Sequence, residues 1–360
     1  MTEKEFIPTS YTAMENEGVV TYSSPSNIAL IKYWGKLEHQ IPANPSISFT
    51  LNECSTTTSV QYKKLETPGK EFSFELLFEG RSKEDFKPKI NTFLQRVEKY
   101  LPFLKDYHFV INTSNTFPHS SGIASSASGM SALALCFMEI ERSFLKEMPP
   151  EYFNKKVSFL SRLGSGSACR SNQGPIMQWG ESTAIEDSSN LYGVVYPYLI
   201  HENFKNYQDT ILLVDKGEKQ VSSTVGHELM HDHPYAKSRF EQAHSNLKRL
   251  KDIFASGDLD AFITIVESEA LTLHAMMMTS NPYFILMKPN TLEIINRIWK
   301  FRSQSKTHVC FTLDAGANVH VLYPENEKET VFTFIKEGLA PFCQSGQYIC
   351  DQVGQGAKKL

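Results

Sequence analysis

Several segments hold residues whose types and spacing suit chemistry on anions. The richest is Pro118-His119-Ser120-Ser121-Gly122-Ile123-Ala124-Ser125-Ser126-Ala127-Ser128-Gly129. Its small residues let the backbone approach a ligand closely, and the exposed N–H groups of a helix starting there favour negative charge. The serine hydroxyls could donate to phosphate or ligate Mg²⁺. It is not a Walker A loop, because no Gly-Lys-Ser/Thr follows. A flexible linker capping a helix has a similar composition, but linkers rarely sit tightly between a strand and a strongly periodic helix. In Gly164-Ser165-Gly166-Ser167-Ala168-Cys169-Arg170-Ser171 an arginine lies beside a Gly/Ser turn. Its fork suits a carboxylate or phosphate; alone, the stretch reads equally as a helix C-cap followed by a surface arginine.

Asn27-Ile28-Ala29-Leu30-Ile31-Lys32-Tyr33-Trp34-Gly35-Lys36 sets two lysines and two aromatics at an apolar strand. On composition alone these are solvated lysines at a strand end. Asp314 ends an alternating stretch just before a Gly-containing turn, where a carboxylate can be a general base or only start the turn. His227-Glu228-Leu229-Met230-His231 spells H-E-x-x-H. On a helix its histidines would share a face and could ligate zinc, with Glu228 as base. Pro234 and the missing Gly-x-x-His continuation speak against that.

These residues need a scaffold of mixed elements. Period-two runs predict strands at 47–51, 72–76 and 109–111 and through Val309, Phe311 and Leu313, and the apolar run 211–214 reads as a buried strand. Met130, Leu133, Phe137, Ile140 and Phe144 mark one face of a helix after the Ser/Gly segment. Further helices carry Phe153, Val157 and Leu160, then Phe240, Ala243, Leu247 and Leu250, then Phe262, Val266, Ala270, Leu273 and Met277. Gly164, Gly257 and Asn281-Pro282 are their stop signals. The order is not strict βαβ, so the fold class is α+β in two layers. The parts are expected at 1–200 and 201–360, and the first 20 or so residues as a loose lead-in.

Composition excludes several classes. With 36 Lys+Arg against 40 Asp+Glu the formal net charge is −4, which lacks the basic excess of a nucleic-acid or membrane-surface binder. No apolar run approaches a membrane span, and the polar start carries no secretory signal. The 6 cysteines form no C-x-x-C and read as reduced thiols, with a Cys343–Cys350 disulfide as the less favoured alternative, so a cytoplasmic location is expected.

Taken together the segments resemble the GHMP kinase superfamily, and within it the diphosphomevalonate decarboxylases. The resemblance runs from Asn27–Lys36 through Pro42-Ala-Asn-Pro-Ser-Ile-Ser48, 117–129, 164–171 and Val221-Ser-Ser-Thr-Val-Gly226 to Asp314-Ala-Gly-Ala-Asn318. Tyr-Trp-Gly-Lys at 33–36 and Ser-Gly-Ser-Ala-Cys-Arg at 165–170 are its sharpest pieces. It implies a two-part fold with the active site in a cleft between the parts, ATP and Mg²⁺, a phosphorylated mevalonate as small-molecule substrate, and a homodimer. It also implies catalytic roles for Asp314, Arg170, Lys36, Ser126 and Asn27. Substrate contacts follow for Lys32, Tyr33, Trp34, Gly35, Lys36, Lys89, Ser165, Gly166, Ser167, Ala168, Cys169, Arg170, Ser223 and Thr224. ATP contacts follow for Ser120, Ser121, Gly122, Ala124, Ser125 and Ser126, with Ser126 toward the metal. His274 recurs in the family as a packed histidine.

The sequence departs from the family pattern at Lys89, where an arginine is common and which Arg81 could replace. A lysine keeps the charge without the bidentate fork. His227 stands where methionine is common among bacterial relatives, and Ala317 replaces a common proline. A decarboxylase acting on mevalonate 5-phosphate and a 3-kinase that stops after phosphorylation share much of this pattern. The zinc reading is remote because H-E-x-x-H falls inside the resemblance.

Overall fold

The computed structural model describes residues 1–118, 123–217 and 223–360. The first half contains β1 (Glu17–Ile31), β2 (Ser46–Lys64), β3 (Ser73–Phe78), β4 (Arg81–Ser82), α1 (Lys87–Val97), β5 (Tyr107–Asn115), α2 (Ser125–Ser143), α3 (Pro150–Gly164), β6 (Ile176–Trp179) and β7 (Val194–Val195). The second contains β8 (Gln208–Leu212), α4 (Ser223–Glu228), α5 (Ala236–Ser256), α6 (Leu259–Met278), α7 (Pro289–Ser305), β9 (Cys310–Thr312), β10 (Val319–Tyr323), α8 (Lys328–Phe334), β11 (Tyr348–Gln352) and β12 (Lys358–Lys359). The expected α+β class is what is found.

The larger sheet runs β12-β1-β2-β5-β3-β4, with β6 joined to β2 and β7 to β6. β2 organises it. Residues Thr56–Lys64 pair with β5, while Ser46–Phe49 pair with β6. Along the β5-paired part Thr56, Thr58, Val60 and Tyr62 alternate inward, as a one-sided sheet requires. Residues Ser46–Leu51 are buried throughout. Ile47, Phe49 and Leu51 there belong to one core with Leu247 and Phe254 of α5 and Phe262 of α6, so both halves share that core. A second core packs α1, α2 and α3 on the large sheet through Leu94, Phe109, Phe137 and Leu160. The smaller antiparallel sheet, β11-β8-β10-β9, packs on α7 and α8 through Phe311, Val321, Ile298 and Val331.

Three expectations change. The lead-in is docked: Phe6 is fully buried, stacked on Phe159 at 4.6 Å between ring centroids, and Thr12 Oγ1 donates to the Phe144 carbonyl. Aromatic burial anchors this segment without regular periodicity. α6 has the length and composition of a membrane span, yet it is a core helix with Phe262, Val266 and Ala270 buried. The strand expected through Leu313 stops at Thr312, so the chain leaves the ladder just before Asp314.

Candidate active site

A cleft of about 340 Å³ gathers residues from both halves. Its wall includes Asn27, Lys32, Tyr33, Trp34 and Lys36 from the end of β1 and beyond, and Ala124, Ser125 and Ser126 at the start of α2. Ser165, Gly166, Ser167 and Arg170 follow α3, Lys89 comes from α1, and Asp314 from the turn after β9. A register shift between Pro25 and Asn27 reshapes β1 as it enters the cleft.

Lys32 is not a solvated strand-end lysine. It is 1 % exposed, and its Nζ lies 2.9 Å from Asp314 Oδ1. Arg170 is also buried, on the 3₁₀ turn Gly166–Arg170. Its Nε donates to Ser48 Oγ at 3.1 Å and its Nη2 to Asn27 Oδ1 at 3.4 Å. Nη1 is buried and has no partner among the described residues. Asn27 is held in turn, its Nδ2 donating to Ser171 Oγ at 2.8 Å and to the Ser167 carbonyl at 3.2 Å. Burial lowers the Arg170 pKa, and Cys169, Asp314 and Tyr33 oppose that; a guanidinium nonetheless stays charged at neutral pH. A buried cation with an unused donor is matched by an anion entering the cleft.

The aromatic wall is tightly built. Tyr33 meets Trp179 edge-on at 4.7 Å, and His227 lies 4.2 Å from Tyr33 and 4.7 Å from Trp34, centroid to centroid. The Gly35 N–H donates to His227 Nδ1 at 3.0 Å. Burial, helped by Lys36, pushes the His227 pKa down to about 3, so the ring is neutral at pH 7. Gly35 has φ +101, and a Cβ there would meet Phe240 at 2.9 Å; only glycine fits. At Gly166 a Cβ would come within 2.9 Å of Tyr33 Oη and 3.0 Å of Trp179.

At the opposite wall Ala124 adopts left-handed φ 46 and turns the chain into α2. The first turn of that helix carries Ser125 and Ser126, and Ser126 Oγ lies 3.3 Å from Ser165 Oγ. The helix start and these hydroxyls make an anion-favouring end. Lys36 lies 3.8 Å from Glu228. Lys89 is exposed to the cleft, where surrounding protein lowers its ammonium pKa.

Some of the expected residues do not line the cleft. Ala168 packs into the first-half core, and Cys169 is buried with Sγ donating to the Gly166 carbonyl at 3.0 Å, because the tight 3₁₀ turn aims both away from the cleft. Burial raises the Cys169 pKa to about 12. Gly35 shapes the wall from behind and is not part of it. Arg81, exposed on β4, lies outside the cleft wall that holds Lys89. Ser120, Ser121 and Gly122 lie outside the described residues, and Ser223 and Thr224 open α4. The zinc reading fails: α4 ends at Glu228, so His231 does not share a helical face with His227. Nor is there a group of three or more metal-ligating side chains among the described residues. Gln40 and Leu273 also line the cleft, unforeseen from sequence. His39 and Gln40 both have positive φ (54 and 63) without glycine to signal it.

Two sheets sharing a core over a cleft with an anion-favouring helix start and a Lys–Asp pair define the GHMP kinase-type fold. Residues 24–190 match the diphosphomevalonate decarboxylase-like N-terminal domain, and residues 210–358 the mevalonate 5-diphosphate decarboxylase C-terminal domain. The diphosphomevalonate decarboxylase of Ganoderma lucidum is 30 % identical over 336 residues, 88 % of this chain and 81 % of that one. That of Rattus norvegicus is 24 % identical over 350 residues, 92 % and 83 % of the two chains. Among solved structures, MDDEF in complex with MVAPP, AMPPCP and magnesium is 26 % identical, with a TM-score of 0.80 over 96 % of this chain and 99 % of that one. The mevalonate diphosphate decarboxylase of Legionella pneumophila is 30 % identical, with a TM-score of 0.76 over 92 % and 100 %. The chain belongs to the diphosphomevalonate decarboxylase family.

Proposed function

We propose that this protein converts (R)-5-diphosphomevalonate and ATP to isopentenyl diphosphate, ADP, phosphate and CO₂, a step of isoprenoid biosynthesis. The observation that carries this reading is the buried Arg170, with one nitrogen that has no partner among the described residues, in the same cleft as the Lys32–Asp314 pair. Asp314 orients the tertiary 3-hydroxyl and takes its proton as the γ-phosphoryl group transfers to that oxygen. Lys32 holds the carboxylate in place and balances its charge. The new phosphate ester is a good leaving group. When its C–O bond breaks, the C–C bond to the carboxylate supplies the electrons of the new double bond and CO₂ departs.

Arg170 and Asn27 steady the substrate carboxylate by position. A grip that tightened on the ground state would oppose the departure of CO₂. Lys36 and Lys89 meet the charge of the diphosphate, and Tyr33, Trp34, Ser165, Gly166 and Ser167 shape the pocket around the substrate. Ser125 and Ser126, on the first turn of α2, face the ATP phosphates. Ser126 carries a hard oxygen donor exposed to the cleft and would help hold Mg²⁺ there. Mg²⁺ would supply neutralisation of the triphosphate. Phosphoryl transfer depends mainly on positioning and electrostatics, and this chain's residues are of that kind.

We also infer a homodimer in the cytoplasm. The dimer rests on family resemblance and is checked by sedimentation; the unpaired state of the 6 cysteines supports a reducing compartment. The activity is tested by product identification. Mass spectrometry of a reaction with ATP, Mg²⁺ and diphosphomevalonate should show isopentenyl diphosphate, and a phosphorylated product that retains its carboxylate would overturn the reading.

A further inference from the structure

Lys32 lies one residue beyond β1, and Ile31 is the last β1 residue paired with β2. A buried ion pair takes over there. The Lys32 N–H donates to Glu269 Oε2 at 2.9 Å, and its carbonyl accepts from Arg239 Nη2 at 3.1 Å and Asn44 Nδ2 at 2.9 Å. Arg239 of α5 forks onto Glu269 of α6, at 2.9 Å to Oε1 and 2.5 Å to Oε2. Asn246 Nδ2 adds a bond to Glu269 Oε1 at 2.7 Å. Both members of the pair are 0 % exposed. Burying such a pair costs about as much solvation as its attraction returns, so stability alone explains it poorly.

The same helix reaches the other member of the reacting pair. His274 Nε2 lies 3.1 Å from the Asp314 carbonyl oxygen. That acceptor requires the proton on Nε2. Burial pushes the His274 pKa down to about 4, so the ring donates without adding charge beside Lys32 and Asp314. Neither Glu269 nor His274 is part of the cleft wall.

We infer that α6 is the jig that sets the separation of Lys32 and Asp314, with Glu269 and His274 as positioning residues that hold the backbone of each from behind the cleft. This rests on the proposed role of Asp314. A shift of about 1 Å at a reacting group can cost about 10²-fold in rate, so the effect belongs in kcat rather than KM.

Two substitutions at His274 separate positioning from packing. His274→Gln keeps an N–H near the place of Nε2 and loses the ring; His274→Phe keeps the ring and loses the donor. Positioning predicts that the Phe variant loses about 10²-fold in kcat, with KM for ATP and diphosphomevalonate within about threefold, while the Gln variant stays within about tenfold of the parent. Packing predicts the reverse order. Melting temperatures are measured for each. If the Phe variant does not fold, Glu269→Asp draws the acceptor back from the Lys32 N–H and should lower kcat about tenfold or more at unchanged KM. Parental kcat in the Phe variant, a Gln variant as slow as the Phe one, or parental kcat in Glu269→Asp overturns the inference and leaves the proposed activity standing. A parental chain that releases no CO₂ overturns both.

Discussion

Replacing Arg170 by lysine keeps the buried charge but removes the fork. In the protein three nitrogens are divided: Nε to Ser48, Nη2 to Asn27, and Nη1 left for a ligand. One ammonium cannot cover all three directions, so either the substrate carboxylate or the Ser48–Asn27 frame loses its donor. A hydrogen bond to a charged group contributes about 1.5–3 kcal/mol. At about 1.4 kcal/mol per factor of ten, Arg170→Lys should lower kcat/KM by about 10- to 140-fold. Stacking over Trp179, 5.7 Å from the guanidinium carbon to the ring centroid, can persist with an ammonium, so the loss reports the fork itself. Arg170→Met should fall further, because the charge goes too. The assay follows ADP and CO₂ under varied diphosphomevalonate at saturating ATP. Both kcat and KM should change, since Arg170 acts on the bound substrate and on the departing carboxylate. A lysine variant within about twofold of the parent, or one altered in KM alone, would refute this role.

Asp314→Asn should reduce turnover by about 10³-fold or more while ATP affinity, measured by nucleotide titration, stays within a few-fold, because the proton acceptor is lost and the α2 wall is untouched. Lys89→Arg should lower KM for the diphosphate about fivefold through a bidentate contact, and an unchanged KM would mean that this side chain does not meet phosphate. Gly166→Ala should destabilise by about 1–3 kcal/mol and raise KM, because the added Cβ falls 2.9 Å from Tyr33 Oη; calorimetry and kinetics read the two effects. The purified chain should carry no stoichiometric zinc by elemental analysis, since His227 Nδ1 already accepts from Gly35 and His231 is off the helix.

Asp314, Arg170, Lys32 and Ser126 could be singled out in the sequence because each charged or hydroxyl group sits beside small residues or at an element's end. The structure brings these four to one cleft. Which neighbours face the cleft was not legible. The phase of one 3₁₀ turn decides that Ser167 faces in while Ala168 and Cys169 face the core. Gln40 carries no sequence signal because its left-handed backbone has no glycine to mark it, and buried Arg162 contributes an Nη1 bond to the neighbouring His39 carbonyl. The α6 contacts were out of reach for another reason. Glu269 and Arg239 meet Lys32 across 237 and 207 residues, and no local pattern encodes such pairing. H-E-x-x-H misled in the opposite sense, since its spacing means something only on a helix that continues past Glu228. At the level of fold, stop signals such as Gly257, φ +79, marked helix ends well. Phe6 and Tyr11 anchor a segment too short for periodicity to reveal.

The most direct measurement is a paired assay with ATP, Mg²⁺ and either mevalonate 5-diphosphate or mevalonate 5-phosphate, following ADP and CO₂ together. The proposed decarboxylase releases the two in equal amounts from the diphosphate and turns over the monophosphate poorly. ADP without CO₂, or preference for the monophosphate, would contradict it.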